Sequence, residues 1–287
     1  MSYSIDLGII GGTGIYQMNE VTIKDEIIID TPFGLPSSPI TIGEIGDKTI
    51  AFLARHGKGH VIPPSNINHR ANIYALKKMG IKSIVAISAC GSLREDFAPG
   101  DIVIPDQVVD FTKNRERTFF ESGLVAHVST ADPFCPHLSD LLYNAVIETG
   151  ANVHKGSSLV TIEGPRFSTK AESNLFRSWG MSIIGMTTSP EVFLAREAEM
   201  CYAAFAHVTD YDVWHFSEES VNVEMILKVL KKNGEVANES VKNLTKNYEV
   251  YDCECQQALK FALTSSPDFI DPKQKEKLSI FINKYLK

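Results

Sequence analysis

Apolar residues fall along this chain in two rhythms. Short, nearly unbroken apolar runs, bounded by glycine, proline and polar clusters, mark strands at Asp6–Ile10, Glu26–Asp30, Ile40–Ile45, Thr49–Ala54, Ser83–Cys90, Asp101–Phe111, Ser158–Ile162, Ser182–Met186 and Cys201–Val208. Between them the period lengthens to that of a helix at Asn66–Met79, His137–Thr149 and Thr169–Trp179, closed in turn by Gly80, Gly150 and Gly180, and again at Pro190–Met200. A last long helix begins near Asn222, where Ile226, Leu230, Ala237, Val241 and Leu244 keep one apolar stripe. No solenoid-length repeat and no linker rich in Pro, Gly or Ser interrupts the alternation. The expected fold is α/β: a single domain over residues 1–287, with a mostly parallel or mixed central sheet flanked by helices. Its sites should lie at the carboxyl ends of strands, and a mobile helical tail should follow from about residue 240.

Composition narrows the class. With 287 residues, 44% of them hydrophobic and 22% charged, the chain can bury a sizeable core. A formal charge of −7, with no basic block beyond the helix-face run Lys228–Asn233, argues against nucleic acid or an anionic membrane as partner. The amino terminus lacks a basic segment followed by a long apolar stretch, and no run of about 18 apolar residues occurs, so a cytoplasmic enzyme is expected. Five cysteines are too few and too scattered for a secreted disulfide framework. Cys253 and Cys255 form a C-x-C with no second Cys pair or His cluster downstream. A zinc site is therefore not expected there; incidental surface thiols are, with a redox pair or disulfide as the alternative.

Candidate chemistry gathers at strand ends. Gly8–Tyr16 is a strand running into a glycine turn, but Gln17 and the short distance to Asp30 leave no room for the crossover helix of a dinucleotide-binding unit. What remains is a loop whose N–H groups and Thr13 hydroxyl approach an anion, or a plain tight turn. Arg55 and His56 follow another apolar strand beside Gly57, where a guanidinium fork and an imidazole can meet one oxyanion; a solvated basic turn is the alternative. Ser88–Asp96 ends a third strand in small residues. Thr187 and Thr188 stand between a strand and the helix that Pro190 opens, where unpaired N–H groups favour anions. Together these ends suggest a phosphate-sized site. Asp210 and Asp212 stand two apart at the close of another apolar strand. Extended backbone through both would aim their carboxylates to one side of the sheet end, as a functional pair, as solvated turn residues or as metal ligands.

The segments GGTG, DTPFG, LARHG, ACGSLR, PGDIVIPDQ, TIEGPRFST, MTTSPE and TDYD, in order from Gly11 to Asp212, resemble the trimeric purine nucleoside phosphorylase family; the resemblance weakens after about Glu239. It implies a site in which Thr13, Arg55, His56, Ser88, Ala89 and Thr187 hold inorganic phosphate. Phe167, Ser168, Met186, Asp210 and Asp212 would hold base and ribose. Homotrimers, or dimers of trimers, are implied, with His127 of a neighbour reaching the 5′ substituent. Phosphate is then a co-substrate, and no metal or organic cofactor is called for.

The two acids and the 5′ wall suggest which nucleoside. A 6-aminopurine offers an amine donor and an unprotonated N7, which suit one carboxylate that accepts and one group that carries a proton. Relatives that take 6-oxopurines have Asn where Asp210 stands and Glu where Ser168 stands. Val223, at a position where relatives using ordinary nucleosides bond a 5′ hydroxyl through His, joins Val221 and Ile226 in an apolar wall at the start of the last helix. The expected reaction is phosphorolysis of 5′-methylthioadenosine, with Asp210 protonating N7 and Asp212 assisting. Use of 5′-methylthioinosine, or of purine nucleosides more broadly, is the alternative.

Overall fold

The computed structural model describes residues 3–11, 21–215 and 223–286, with side chains left aside over 223–232. Thr13 and Val221 thus lie outside the described residues, as do the side chains of Val223 and Ile226.

Within them eleven strands form one sheet: β1 (Leu7–Gly11), β2 (Thr22–Ile27), β3 (Ile40–Ile45), β4 (Lys48–Ala54), β5 (Ser83–Ser92), β6 (Ile102–Ile104), β7 (Gln107–Phe111), β8 (Val153–Lys155), β9 (Ser158–Ile162), β10 (Ile183–Gly185) and β11 (Cys201–Asp210). The sheet is mixed. β1 lies parallel between β4 and β5, and β11 runs parallel to β5, whereas β10 meets β5 antiparallel. The helices are α1 (His69–Lys78), α2 (Pro136–Ile147), α3 (Lys170–Ser178), α4 (Thr188–Glu197), α5 (Val223–Asn247), α6 (Pro272–Lys277) and α7 (Ser279–Ile282).

The central strands are buried on both faces, which is why they read as continuous apolar runs. Their side chains alternate between two cores: Ile10, Ile84, Ala86, Tyr202 and Ala204 pack with Ile73, Leu76 and Leu194, while Leu7, Ile9, Val85, Ile87, Ala203 and Phe205 pack with Leu138, Leu142, Val241 and Leu244. Helices α1 and α4 thus cover one face, and α2 and α5 the other.

Four expectations are corrected. The run Asp101–Phe111 is two strands: Pro105, with no N–H to donate, interrupts it, and β6 then pairs with β11 and β8 while β7 pairs with β9. The second strand sits earlier than Glu26–Asp30, at Thr22–Ile27, as a mostly exposed outer strand paired, among the described residues, with β3. The tail is not loose. α5 runs without a break to Asn247, and Tyr248, Leu259, Ala262, Leu278, Phe281 and Ile282 beyond it are buried in the two cores. The Glu199 carboxylate accepts hydrogen bonds from the Leu259 N–H (3.0 Å) and the Tyr285 hydroxyl (2.5 Å). Nor are Cys253 and Cys255 surface thiols, since Cys255 is buried and Cys253 half-buried.

One feature of the sheet positions the site. β5 pairs with β1 through Ala86, then with β10 at Gly91 and Ser92. Between these ladders, from Ile87 to Cys90, β5 has no partner on that side among the described residues, an opening at the carboxyl end of β1 of the kind in which α/β folds bind ligands.

Candidate active site

Arg55 follows β4 and turns its side chain inward at the opening. It is 2% exposed; Nε and Nη2 donate to the two oxygens of Glu191 (3.1 and 2.7 Å), and Nη1 donates to the Ile87 carbonyl at 2.8 Å. Glu191 is wholly buried in the first turn of α4 and also accepts from the Tyr202 hydroxyl at 2.9 Å. Burial alone would push its carboxyl up, but Arg55, with His69 beside it, holds it at about 2, so the pair is ionised. A planar fork on a carboxylate sets both partners' orientation, and here it locks the end of β4 and the middle of β5 to the start of α4. Thr187 is thereby brought to the opening as the residue before that helix, and Ser189, extended (φ −95°, ψ 135°) as residues before proline are, leaves Pro190 to open the regular turns. Ser88 and Ala89 lie on the parted stretch of β5, with the Ala89 carbonyl beside Gly185.

His56 donates its Nδ1 proton to the Ile62 carbonyl (2.8 Å) and stacks on His60 with ring centroids 4.1 Å apart. Burial above all holds its pKa down at about 4. It is therefore neutral at pH 7, and because a carbonyl only accepts, the Nε2 atom carries the lone pair.

The aspartates meet by a route other than the one expected. β11 ends at Asp210 after a register shift past Val208, and Asp212 sits in the left-handed region at φ 51°. A turn, rather than strand alternation, brings the acids together: the Asp212 N–H donates to Asp210 Oδ1 at 2.8 Å, and the Thr209 hydroxyl donates to Asp210 Oδ2 at 2.6 Å. Both residues are 8% exposed, and neither faces a cation among the described residues. Asp212 Oδ2 makes no hydrogen bond of good geometry there, although the Ser173 hydroxyl lies near enough to moderate the rise of its pKa. Desolvation raises Asp210, and desolvation with the Asp210 charge beside it lifts Asp212 to about 6. The pair thus retains a proton where ordinary carboxylates have lost theirs, and it presents one unused buried acceptor.

Sequence reading missed what seats the pair. Gly91 faces both acids: a Cβ there would come 3.0 Å from Asp210 Oδ1, 3.1 Å from Ile184 Cγ2 and 3.3 Å from the Asp212 Cβ. Its backbone is ordinary, so only space demands glycine. Gly91→Ala is expected to lower kcat/KM more than about tenfold through displaced carboxylates, with little loss of thermal stability; unchanged kinetics would show that the pair need not sit where it does. Arg115 was also missed. Nearly buried, it donates to the carbonyls of Met186 (2.8 Å), Ser189 (2.7 Å) and Glu163 (2.7 Å) and forms an ion pair with the Glu163 carboxylate (3.1 Å), clamping the Glu163 loop to the turn before α4. Nothing local in the segment KNRER distinguishes it from a surface arginine.

The remaining predicted residues are placed as follows. Thr169 and Glu172 form a capping box at the start of α3, and Arg166 grips Glu172 through two hydrogen bonds of 2.7 Å each, which sets the entry of the preceding residues. Of these, Phe167 is 39% exposed and Ser168 is buried, its hydroxyl without a partner among the described residues. Met186 is half-buried, its sulfur against Gly164. His127 is exposed, its N–H donating to the Ala262 carbonyl at 2.8 Å, so it belongs to a ribbon shared with the C-terminal segment.

The parted sheet, with Ser88, Ala89 and Thr187 on its rim, and the buried acid pair together make up the candidate site. The family model of the Phosphorylase superfamily matches residues 6–246, and the chain belongs to that superfamily. It is 47% identical over 285 residues to S-methyl-5′-thioadenosine phosphorylase of Chloroflexus aurantiacus (99% of each chain). It is also 45% identical over 282 residues to that of Geobacter sulfurreducens (98% of this chain, 99% of the other). Among solved structures it superposes on a methylthioadenosine phosphorylase from an antarctic soil metagenomic library with a TM-score of 0.93, at 44% identity over 97% of this chain and 99% of that one. With the methylthioadenosine phosphorylase of Schistosoma mansoni in complex with adenine the TM-score is 0.81, at 40% identity over 85% and 91% of the two chains.

Proposed function

We propose that this protein cleaves 5′-methylthioadenosine by phosphorolysis, releasing adenine and 5-methylthioribose 1-phosphate for purine and methionine salvage. The observation that carries the reading is the buried, proton-retaining Asp210/Asp212 pair beside the donor-rich opening, in a chain whose relatives bear that enzyme's name over nearly their full length. Cleavage of the glycosidic bond leaves positive charge on the ribosyl carbon and negative charge on the base. The site must therefore set an anion against the sugar and a proton against the base.

Phosphate is the anion and the nucleophile, so the reaction itself asks for no metal or organic cofactor. Thr13 and the amides and hydroxyls around Ser88, Ala89 and Thr187 donate to it, while the Nε2 lone pair of neutral His56 accepts from a phosphate hydroxyl. Arg55 adds its charge from behind while holding the strand ends through Glu191. Asp210 delivers the proton to N7, and the unused oxygen of Asp212 accepts from the exocyclic amine. Ser168 lies at the base, Phe167 and Met186 line base and ribose, and Val223 and Ile226 form the methylthio pocket. A 6-oxopurine would set a carbonyl oxygen against a carboxylate, a buried mismatch that costs about 1 to 3 kcal/mol.

The whole chain works as one phosphorylase domain in the cytoplasm, assembled as a homotrimer. Exposed Phe261 lies beside Ala262, the residue that holds His127, so an apolar ring and the expected cross-subunit ligand share one surface.

The test is release of base from 5′-methylthioadenosine with and without inorganic phosphate. Adenine and 5-methylthioribose 1-phosphate formed only with phosphate is the expected result. Turnover without phosphate would mean a hydrolase, and cleavage of 5′-methylthioinosine alone would overturn the roles given to the two acids.

A further inference from the structure

Four of the five cysteines converge at the far end of β11 from the acid pair, roughly 30 Å along the strand. Cys135 is the residue before α2, Cys201 begins β11, and Cys253 and Cys255 flank Glu254 where the C-terminal segment makes a short 3-10 turn. Their Sγ atoms all lie within 4.8 Å of one another, and those of Cys135 and Cys253 are 3.7 Å apart. Four thiolates around a tetrahedral cation at about 2.3 Å stand roughly 3.8 Å from each other, whereas a disulfide closes one pair to roughly 2.05 Å. We propose that Cys135, Cys201, Cys253 and Cys255 form a structural zinc site that staples the C-terminal segment to the amino end of β11.

The surroundings fit that assignment. Cys135, Cys201 and Cys255 are buried and Cys253 is half-buried, so the four sulfurs form a closed set with no position left for a reacting water, as in structural rather than catalytic zinc sites. Soft thiolates in this geometry select zinc over magnesium or calcium. Four thiolates carry more charge than one Zn²⁺ removes, and groups around the cluster offset the excess. The N-terminus of α2, twelve residues long, begins at Cys135. Arg196 Nη1 donates to Cys255 Sγ at 3.2 Å, and the Tyr251 hydroxyl lies 3.5 Å from Cys135 Sγ, as outer groups that orient thiolate ligands do. On binding, four thiol protons pass to solvent and four Zn–S bonds form, with no change of oxidation state. Two disulfides from the same sulfurs would instead require an oxidant to take two electrons from each pair. The ligands come from three separate parts of the chain, which explains why the C-x-C, seen along the sequence, lacks partners.

The experiment uses the full chain, expressed with added Zn²⁺ and purified under reducing conditions without chelator. Elemental analysis should find about one zinc per chain. Replacement by Co²⁺ should give the thiolate-to-cobalt charge-transfer bands of a tetrahedral sulfur site. Cys253→Ser, at the most exposed of the four, should abolish metal and bands, while Cys90→Ser, on β5 and outside the cluster, should keep both. Removing zinc with a chelator should lower the melting temperature of the wild type by several degrees and leave that of Cys253→Ser unchanged. Fully reduced protein that takes up neither ion would overturn the site. So would metal retained in Cys253→Ser, or metal-free protein that, unfolded without reductant, titrates about one free thiol rather than five.

Discussion

Replacing Asp210 by Asn is expected to lower kcat/KM for 5′-methylthioadenosine by about 10² to 10⁴ while leaving the fold intact. The amide keeps the shape and can still accept the Asp212 N–H, and the Thr209 hydroxyl can turn to accept from its nitrogen. What it cannot do is surrender an acid proton to N7. The pH dependence carries the same argument with a definite sign. Desolvation raises both carboxyls, Asp212 to about 6, so the pair holds its proton to higher pH than a solvated acid. For the wild type at saturating phosphate, kcat/KM should be level on the acid side and fall as the pair loses its proton, at a higher pH than a solvated carboxyl would; in Asp210→Asn that limb should flatten. The folded state follows the same sign: a raised carboxyl adds stability below its ordinary value of 3.8, and that stability is lost as pH climbs through about 6. Wild-type rates in the variant would remove Asp210 from the chemistry.

The largest loss of stability should come from Glu191→Gln. The change leaves the Arg55 guanidinium, 2% exposed, without its counter-charge, and breaking a buried pair from one side costs about 3 to 5 kcal/mol. A chain of this length should melt roughly 10 °C lower. KM for phosphate should rise as well, because the same pair holds α4 against the strand ends. A melting temperature within a degree or two of the wild type would mean that Arg55 is satisfied by the Ile87 carbonyl and its other contacts alone.

What could be read along the chain was what depends on neighbours in sequence. β3 and β9 run over the residues their apolar patterns mark, and α3 lies between the Thr169 capping box and Gly180. The candidates Arg55 and Thr187 could be named because each follows an apolar strand, and Ser88 because small residues close the apolar run of β5; strand ends gather at one side of such a sheet. Partnerships across the chain were not visible. Arg55 and Glu191 are 136 residues apart, and nothing near Glu191 marks it as the counter-ion rather than an ordinary first-turn acid. Gly91 looks like any small residue until the acids of β11 are laid against it. The break at Pro105 was legible in principle, but the apolar residues on both sides masked it.

The packing of the C-terminal segment also bears on how the protein comes into being. Ile10, near the start of the chain, shares a core with Phe281 and Ile282, near its end. A ribosome makes the central sheet long before it makes α7. Until then, the surface that will receive Leu259, Leu278 and Phe281 stands bare, and the last turns of the chain are still inside the exit tunnel. Final closure of the core therefore waits until α7 has left the tunnel. Over that interval the nascent chain is an apolar-faced intermediate of the sort that chaperones hold.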